Sequence, residues 1–537
     1  MYKPSLEQQN IKKVYTSTYD NIKIQAGAGT GKSYMASVLI NSEPDLILYL
    51  TLNKDNKENM YNKMRTINNN VHKPDFKTFD QFILNLMMKH IGRKINPFKN
   101  MSKKDIIIAV DPELYNKWSN VISNTIDNFV VSSDYTIQSK HISKKDFSEI
   151  ENYLRNKYRN KLNYEQEYKN YMNKLKNLMN HVFDVCNPIK NKTIDKCKFN
   201  NMCKYLDLHY KEQELAIEHH IIIVDEAQDI TLCFGNILNK LNKRLILIGD
   251  QNQTINQFRG SDGIYFKECR FKTYPLTQSF RSNRLICDLA NRVLSLSTQI
   301  SLKSIKNRPE KEELAILCKT NKEILRIAEI LLKYNIDFKA DININLYIYM
   351  SYQIENLKNN KKTQNDELLE NNIHNISDLE QKLEKINPTW NTVYKLIKEE
   401  GIYEFRDRIC KLKNKLTNNE NSKIIIKTIH RSKGEEYDYI LLAPDCNNII
   451  NNINKRIKLE ENINLLYVAI TRGRIGCDTQ FLSSIKILEK VIDLRTNFKY
   501  WNVNEELFHI NFLNTKKIYF RQAGRQAGRQ KYLYETC

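Results

Sequence analysis

Eight residues constrain this chain more than any others: Ala26-Gly27-Ala28-Gly29-Thr30-Gly31-Lys32-Ser33. They follow a short apolar strand, Ile22-Lys23-Ile24, and open a stretch of helical character over residues 34–40. In that context small residues let consecutive backbone N–H groups wrap a triphosphate, and the helix N-terminus behind them favours negative charge. Lys32 can reach the β and γ phosphates, and the Ser33 hydroxyl can ligate Mg2+. The first loop position is Ala26 where the strict pattern has Gly, so the match is to a relaxed form of the motif. A loop of this kind needs a parallel sheet behind it, and the rest of the chain must supply the strands.

It does so with apolar runs of the type found in strands buried on both faces. These are Leu46-Ile47-Leu48-Tyr49-Leu50, Ile221-Ile222-Ile223-Val224, Leu245-Ile246-Leu247-Ile248, Ile424-Ile425-Ile426 and the weaker Leu314-Ala315-Ile316-Leu317. Helical stretches alternate with them, which predicts an α/β fold with parallel sheets. Two long regions differ in texture. Residues 89–200 and 341–420 are rich in Lys, Asn, Tyr and Glu, with apolar positions at helical spacing, and read as mostly helical insertions.

The second chemical signal follows the run at 221–224: Asp225-Glu226-Ala227-Gln228-Asp229. A carboxylate at the C-terminal end of a parallel strand faces the ligand edge of the sheet. Asp225 there can hold Mg2+, directly or through water, and Glu226 can orient and deprotonate an attacking water. Acidic pairs usually only solvate a surface; the buried run before this one and the phosphate loop upstream favour the chemical reading.

The 537 residues suggest about three to four domains. Hydrophobic residues make up 41% and charged residues 27%, which permits a large core and excludes wholesale disorder. Lys and Arg number 84 against 62 Asp and Glu, a formal charge of +22. That excess favours a polyanionic partner, nucleic acid ahead of an anionic membrane surface. No apolar run reaches the ~18 residues of a membrane span, runs such as Ile106-Ile107-Ile108-Ala109-Val110 being strand-length. Met1-Tyr2-Lys3-Pro4-Ser5 lacks the apolar stretch of a signal peptide, so an intracellular protein is expected. The 11 cysteines contain no C-x-x-C pair and read as reduced thiols. His181, Cys186, Cys197, Cys203 and His209 cluster in sequence, but their spacing fits no compact zinc knuckle, and buried thiols in a helical insertion are the expected reading. The tail repeats Arg521-Gln522-Ala523-Gly524 as Arg525-Gln526-Ala527-Gly528, a low-complexity segment expected to be disordered.

With these motifs in place the chain resembles superfamily 1 DNA helicases of the UvrD/Rep type, and within them the viral-like and F-box DNA helicase branch. The collinear matches run from Gln8 to Arg474. The phosphate loop and Asp225-Glu226-Ala227-Gln228-Asp229 are similar to the first and second ATPase motifs. Ser5-Leu6-Glu7-Gln8 resembles the glutamine motif that reads adenine, with Gln9 an equally available side chain. Thr51-Leu52-Asn53-Lys54 and Thr78-Phe79-Asp80-Gln81-Phe82 resemble DNA-contacting motifs, although Asp80 replaces the usual His and an acid near a phosphodiester is unfavourable. Gly249-Asp250-Gln251-Asn252-Gln253-Thr254-Ile255 through Phe258-Arg259-Gly260 resembles the third motif. There the resemblance implies that Gln253 senses the γ-phosphate and Phe258 stacks on a base; Asn256 stands where Tyr is common. In Leu276-Thr277-Gln278-Ser279-Phe280-Arg281-Ser282 it implies that Phe280 packs on adenine and Arg281 approaches the γ-phosphate. In Thr428-Ile429-His430-Arg431-Ser432-Lys433-Gly434-Glu435-Glu436 it implies Thr428 and His430 toward DNA and Glu436 toward ribose, with Glu435 at a usually apolar place. Leu466-Tyr467-Val468-Ala469-Ile470-Thr471-Arg472-Gly473-Arg474 is similar to the sixth motif, with Arg472 as arginine finger.

The resemblance implies an α/β architecture of two RecA-like parallel-sheet motor domains with ATP between them, each carrying a helical insertion. The expected layout is 1–88 with 201–272 as the first motor domain, 89–200 as its insertion, 273–340 with 421–495 as the second, 341–420 as its insertion, and 496–537 as tail. The expected activity is ATP- and Mg2+-dependent, 3′-to-5′ translocation on single-stranded DNA with duplex unwinding, in replication, recombination or repair. Single-stranded DNA and duplex junctions are the expected partners, with replication or recombination proteins beside them and no membrane. The expected compartment is the cytoplasm or nucleus, or a viral replication site. A DNA-stimulated ATPase that remodels protein–DNA or recombination intermediates without processive unwinding is the alternative. A non-catalytic DNA-binding scaffold would have no need of Lys32, Asp225, Glu226, Arg281 and Arg472 together.

Overall fold

The structure, a computed structural model, describes residues 4–478 apart from 43–45, 68–73, 98–105, 107–109, 160–162, 212–214, 258–259, 297–300, 305–312, 372, 384–385, 418–421 and 457. Phe258, residues 107–109 of the apolar run, the end of the second motor domain and the repeated tail lie outside the described residues. The chain divides into two compact units. Residues up to Ala26 and from Gly31 to Leu276 make the first; Gly27–Thr30 group with the residues from Thr277 onward in the second.

In the first unit six strands are all parallel: β1 (Ile22–Ala26), β2 (Ile47–Thr51), β3 (Asp75–Thr78), β4 (Ile221–Asp225), β5 (Arg244–Gly249) and β6 (Lys272–Leu276). Their order across the sheet is β3-β2-β4-β5-β1-β6. The period of two sorts their side chains onto two faces. Ile22, Ile24, Tyr49, Ile221, Ile223, Ile246 and Ile248 pack with the helices Leu6–Ser17 and Lys32–Ile40. Leu48, Leu50, Ile222, Val224, Leu245 and Leu247 pack on the other side, with Phe79–Ile91, Phe199–His209 and Leu232–Lys240. Helices cover both faces, which is why the runs Ile221–Val224 of β4 and Leu245–Ile248 of β5 are aliphatic throughout.

Between the helix Phe79–Ile91 and β4 the chain is mainly helical, with Pro112–Val131, Lys144–Tyr158, Tyr164–Val185 and Phe199–His209. Asp111 accepts a hydrogen bond from the Leu114 N–H and Pro112 sits in the first turn, while Ser143 caps the next helix through Asp146 N–H. These helices do not form a separate core. Phe129, Phe183, Met202 and Leu206 belong to one continuous cluster with Leu50 and Val224 of the sheet.

The second unit has a two-strand ladder, β7 (Gln278–Ser279) with β8 (Lys303–Ser304), and a five-strand sheet. Its strands are β9 (Leu314–Cys318), β10 (Lys339–Ala340), β11 (Ile424–Thr428), β12 (Tyr437–Leu442) and β13 (Gly473–Asp478), in the order β10-β11-β9-β12-β13 and again parallel. Helices Ile344–Lys358, Pro388–Glu400 and Ile402–Thr417 lie between β10 and β11 in sequence and share the sheet's core through Tyr347, Trp390 and Phe405.

All five apolar runs form strands, with one shift: Leu46 precedes β2 and is 37% exposed. Strands without such a run escaped the hydropathy reading. Asp75-Phe76-Lys77-Thr78 and Lys272-Thr273-Tyr274-Pro275-Leu276 are polar because β3 and β6 are the sheet's edges, where one side needs no partner and Pro275 is tolerated.

Candidate functional site

In the phosphate loop Gly29 and Gly31 have φ of 71° and 86°, a left-handed conformation that suits glycine. The Thr30 hydroxyl donates to the Gly27 carbonyl at 2.9 Å and tightens the turn. The helix Lys32–Ile40 starts at Gly31 with no side-chain cap hydrogen bond, and N–H groups of such a first turn can bind an anion. Lys32 is half-buried on that turn and Ser33 is exposed.

Asp225, the last residue of β4, is 1% exposed and has both carboxylate oxygens held. The Tyr49 hydroxyl donates to Oδ2 at 2.7 Å, and the Glu226 N–H donates to Oδ1 at 3.0 Å. Burial pushes the carboxyl up to about 6, and the Glu226 charge adds to this; the Tyr49 hydrogen bond and the Lys32 charge oppose it. Glu226 has a φ of 57°, a left-handed conformation that costs a non-glycine residue about 1–3 kcal/mol. Strain at such a position is a mark of functional sites, and here it turns the chain sharply out of β4.

Glu226 does not stand alone. Gln228 donates from Nε2 to Glu226 Oε2 at 2.6 Å and accepts at Oε1 from the Asp250 N–H at 3.0 Å. Asp250 in turn accepts from Gln253 Nε2 at 2.7 Å. One chain of hydrogen bonds therefore joins the candidate base to the loop after β5. Asn256 strengthens the junction by donating to Asp229 at 3.0 Å, so this departure from the resembled pattern has a structural role. Gly249 is required here: a Cβ on it would lie 2.7 Å from Gln228 Oε1.

Gln8 is buried and forms a reciprocal capping box with Ser5, its Oε1 accepting from the Ser5 N–H at 3.0 Å. Gln9 is exposed and donates to the Pro4 carbonyl. The structure thus separates the two glutamines that the sequence left equivalent.

In the second unit Arg281 Nε donates to Glu436 Oε2 at 2.9 Å, and its NH1 to the Thr471 carbonyl at 3.3 Å. Glu436 Oε1 faces Arg474 at 3.7 Å, and Arg474 also pairs with the fully buried Asp438 at 2.7 Å. Arg472 is 1% exposed and donates to the Val468 carbonyl, the Glu435 carbonyl and the Thr471 hydroxyl. Its guanidinium is therefore fixed within its own unit. Glu435 accepts from Lys427 at 2.6 Å and from the Tyr437 hydroxyl, which gives that acid a structural partner set. Phe280 and His430 are partly exposed; Thr428 is buried at the end of β11 and accepts from the Arg431 N–H.

Asn53 is exposed just beyond β2. The Thr78 hydroxyl caps the helix Phe79–Ile91 by accepting from the Gln81 N–H at 3.2 Å. Phe79 turns inward, 2% exposed and 5.3 Å from the Phe234 ring, so its contribution is to the core. Beside it lies a cleft of 620 Å3 whose lining includes Asp80, Asp127, Lys198 and Gln257.

The Cys186, Cys197 and Cys203 thiols are all pushed up by burial, Cys186 to about 11. The His209 ring bonds to the Asn187 amide at 2.7 Å. Among the described residues no three His, Cys, Asp or Glu side chains gather to hold a metal ion, and no helix is long and apolar enough to cross a membrane.

Sequence reasoning missed Tyr49 and Gln228. Tyr49 is a lone phenol in an aliphatic strand, and a buried hydroxyl of that kind requires a partner; that was the available signal. Gln228 lay in plain view within the second motif, but its bond to Asp250 depends on how β4 and β5 pair.

A phosphate loop after β1 of a parallel sheet, with Asp225 and Glu226 at the C-terminal end of β4, one strand removed across β5, defines an α/β nucleoside-triphosphate-binding protein. The UvrD/REP helicase N-terminal domain matches residues 7–274, and the UvrD-like helicase C-terminal domain matches residues 340–475. The chain belongs to the UvrD/Rep helicase family. It is 26% identical over 307 residues to F-box DNA helicase protein 1 of Schizosaccharomyces pombe, covering 49% of this chain and 34% of that protein. It is 23% identical over 504 residues to F-box DNA helicase 1 of Gallus gallus, covering 87% of this chain and 48% of that one. The RecBCD enzyme subunit RecB of Buchnera aphidicola is 31% identical over 109 residues, 18% of this chain and 9% of RecB. The chain thus spans at most about half the length of these relatives.

Proposed function

We propose that the protein is an ATP-dependent DNA helicase that translocates 3′-to-5′ on single-stranded DNA and opens duplex in replication, recombination or repair. The observation that carries this reading is the hydrogen-bond chain Glu226–Gln228–Asp250–Gln253. It ties the candidate base for water attack to the loop in which the resemblance places a phosphate sensor and a base-stacking ring. A simple phosphatase has no need for such a tie; a motor does.

In this reading Lys32 neutralises charge on the β and γ phosphates while the first turn of its helix binds them through backbone N–H groups. Glu226 takes the proton of the attacking water as its oxygen bonds to the γ phosphorus, and ADP leaves. Gln228 holds the Glu226 carboxylate in place by its 2.6 Å bond. Arg281 and Arg472 supply the guanidinium charge that the resemblance assigns to the transferring phosphate. The hard oxygens of Ser33 and Asp225 suit Mg2+, and the buried carboxylate of Asp225 with its two fixed donors fits that ion. Bound there, Mg2+ would offset charge on the phosphate oxygens. Single-stranded DNA and duplex junctions are the substrates, and the compartment is wherever that DNA lies, nucleus or cytoplasm.

The test is ATPase and strand separation measured together on blunt, 3′-tailed and 5′-tailed duplexes with DNA and RNA strands. Unwinding confined to 3′-tailed DNA is the expected result. DNA-stimulated hydrolysis without strand separation would establish the remodelling translocase instead, and no stimulation by any strand would remove the motor reading.

A further inference from the structure

Tyr49 is the one phenol among the aliphatic side chains of β2, and its ring is fully buried. In the parallel register it lies opposite Ile223 of β4, so Asp225 is two residues further along the same face. The side chain leans along the strands across that diagonal and ends 2.7 Å from Asp225 Oδ2. Its ring is held from the other side by Phe76 of β3, with centroids 5.7 Å apart. Phe76 in turn meets Tyr61 edge-on at 5.8 Å. A hydroxyl mounted on a ring packed this way has little freedom, and its hydrogen bond fixes the rotation of the carboxylate it meets.

The two oxygens of Asp225 then have distinct duties. Oδ1 is turned back onto the Glu226 N–H, and Oδ2 is pinned by Tyr49. Each retains lone-pair capacity, because a carboxylate offers about four acceptor sites. Removing the hydroxyl would leave the Asp225 carboxylate, 1% exposed, with the Glu226 N–H as the remaining donor of these two.

We infer that Tyr49 is a positioning residue for divalent-cation binding, its hydroxyl orienting the Asp225 carboxylate toward Mg2+ on the bound nucleotide. The inference rests on the proposed nucleotide site, and outer partners of this kind commonly change metal affinity by 10–100-fold when removed. Tyr49 touches neither nucleotide nor phosphate in this role. It acts through Asp225.

The experiment compares wild type with Tyr49→Phe, which removes one oxygen and keeps the ring against Phe76. Binding of a fluorescent ADP analogue is titrated in EDTA and again across a range of Mg2+, with thermal melting in EDTA recorded beside it. Mn2+ binding to the ADP-saturated protein is read by electron paramagnetic resonance. The expected result is EDTA affinity within about twofold of wild type and a Mg2+ or Mn2+ half-saturation raised ~10-fold or more. Tyr49→Leu, lacking ring and hydroxyl, should show the same cation defect together with a lower melting temperature. Unchanged cation dependence in Tyr49→Phe would overturn the inference and leave Tyr49 as core packing. Failure of Tyr49→Phe to fold would overturn it too, since the hydroxyl would then be structural. Absence of nucleotide binding to wild type both in EDTA and with Mg2+ would remove the nucleotide site itself. Nucleotide binding by wild type without any cation dependence would overturn the inference alone, which separates the two failures.

Discussion

Arg281 and Glu436 are 155 residues apart in sequence and joined by a 2.9 Å hydrogen bond from Nε to Oε2. The pair couples the motif at the start of the second unit to the one after β11. Glu436 also faces Arg474, so one carboxylate lies between two guanidinium groups. If Arg281 serves the γ-phosphate, Arg281→Ala should lower the turnover number by ~10³-fold or more, the range for a lost arginine finger. Glu436→Gln removes the countercharge and should change KM for ATP more than turnover. Steady-state kinetics on both variants decide this; wild-type turnover in Arg281→Ala would remove the arginine from the phosphate.

Lys32→Ala should abolish ATP turnover and leave single-strand affinity largely intact, because Lys32 sits on the first turn behind the phosphate loop. Filter binding and ATPase assays on one preparation check it. Hydrolysis near the wild-type rate would withdraw the phosphate-loop assignment.

For Glu226→Gln, nucleotide binding is expected to persist while hydrolysis drops ~10²–10⁴-fold, the usual contribution of a general base. The amide keeps the shape of the side chain in its left-handed backbone position. Loss of nucleotide binding by this variant would make Glu226 a structural residue.

Gly249→Ala probes the link between the two motifs without touching either acid. The new methyl would lie 2.7 Å from Gln228 Oε1 and 3.1 Å from the Phe266 ring, so Gln228 must move off Asp250. Hydrolysis should fall and DNA stimulation with it, while nucleotide affinity stays near wild type. Gln228→Ala should reproduce the kinetic defect. Normal stimulation in both variants would show that coupling runs elsewhere.

DNA affinity should fall steeply with salt, because a formal charge of +22 acts in part by releasing counterions from phosphate. On single strands the slope of log affinity against log salt should be roughly −0.7 for each phosphate engaged. Fluorescence anisotropy over a salt series measures it, and a flat response would place the basic excess on solvated helix faces.

Local chemistry made much of this molecule legible in the linear chain. A glycine-rich turn after an apolar strand specifies its own backbone, since Gly29 and Gly31 take left-handed angles that other residues resist. The aliphatic runs at 221–224 and 245–248 have the character of strands covered on both faces, as β4 and β5 are, and the acid directly after the first is the last residue of β4. Edge strands were not legible: β3 and β6 keep polar residues because the edge of a sheet tolerates them. The partners of the chemical groups were decided only by tertiary structure. Tyr49 and Asp225 lie 176 residues apart, and their bond exists because β2 and β4 pair in one particular register. Gln228 reaches Asp250 because β4 and β5 are neighbours, and Phe79 became a core ring because Phe234 packs beside it. Residue type and spacing carry the chemistry a short segment can perform; which groups meet depends on strand order and packing, and those are properties of the whole core.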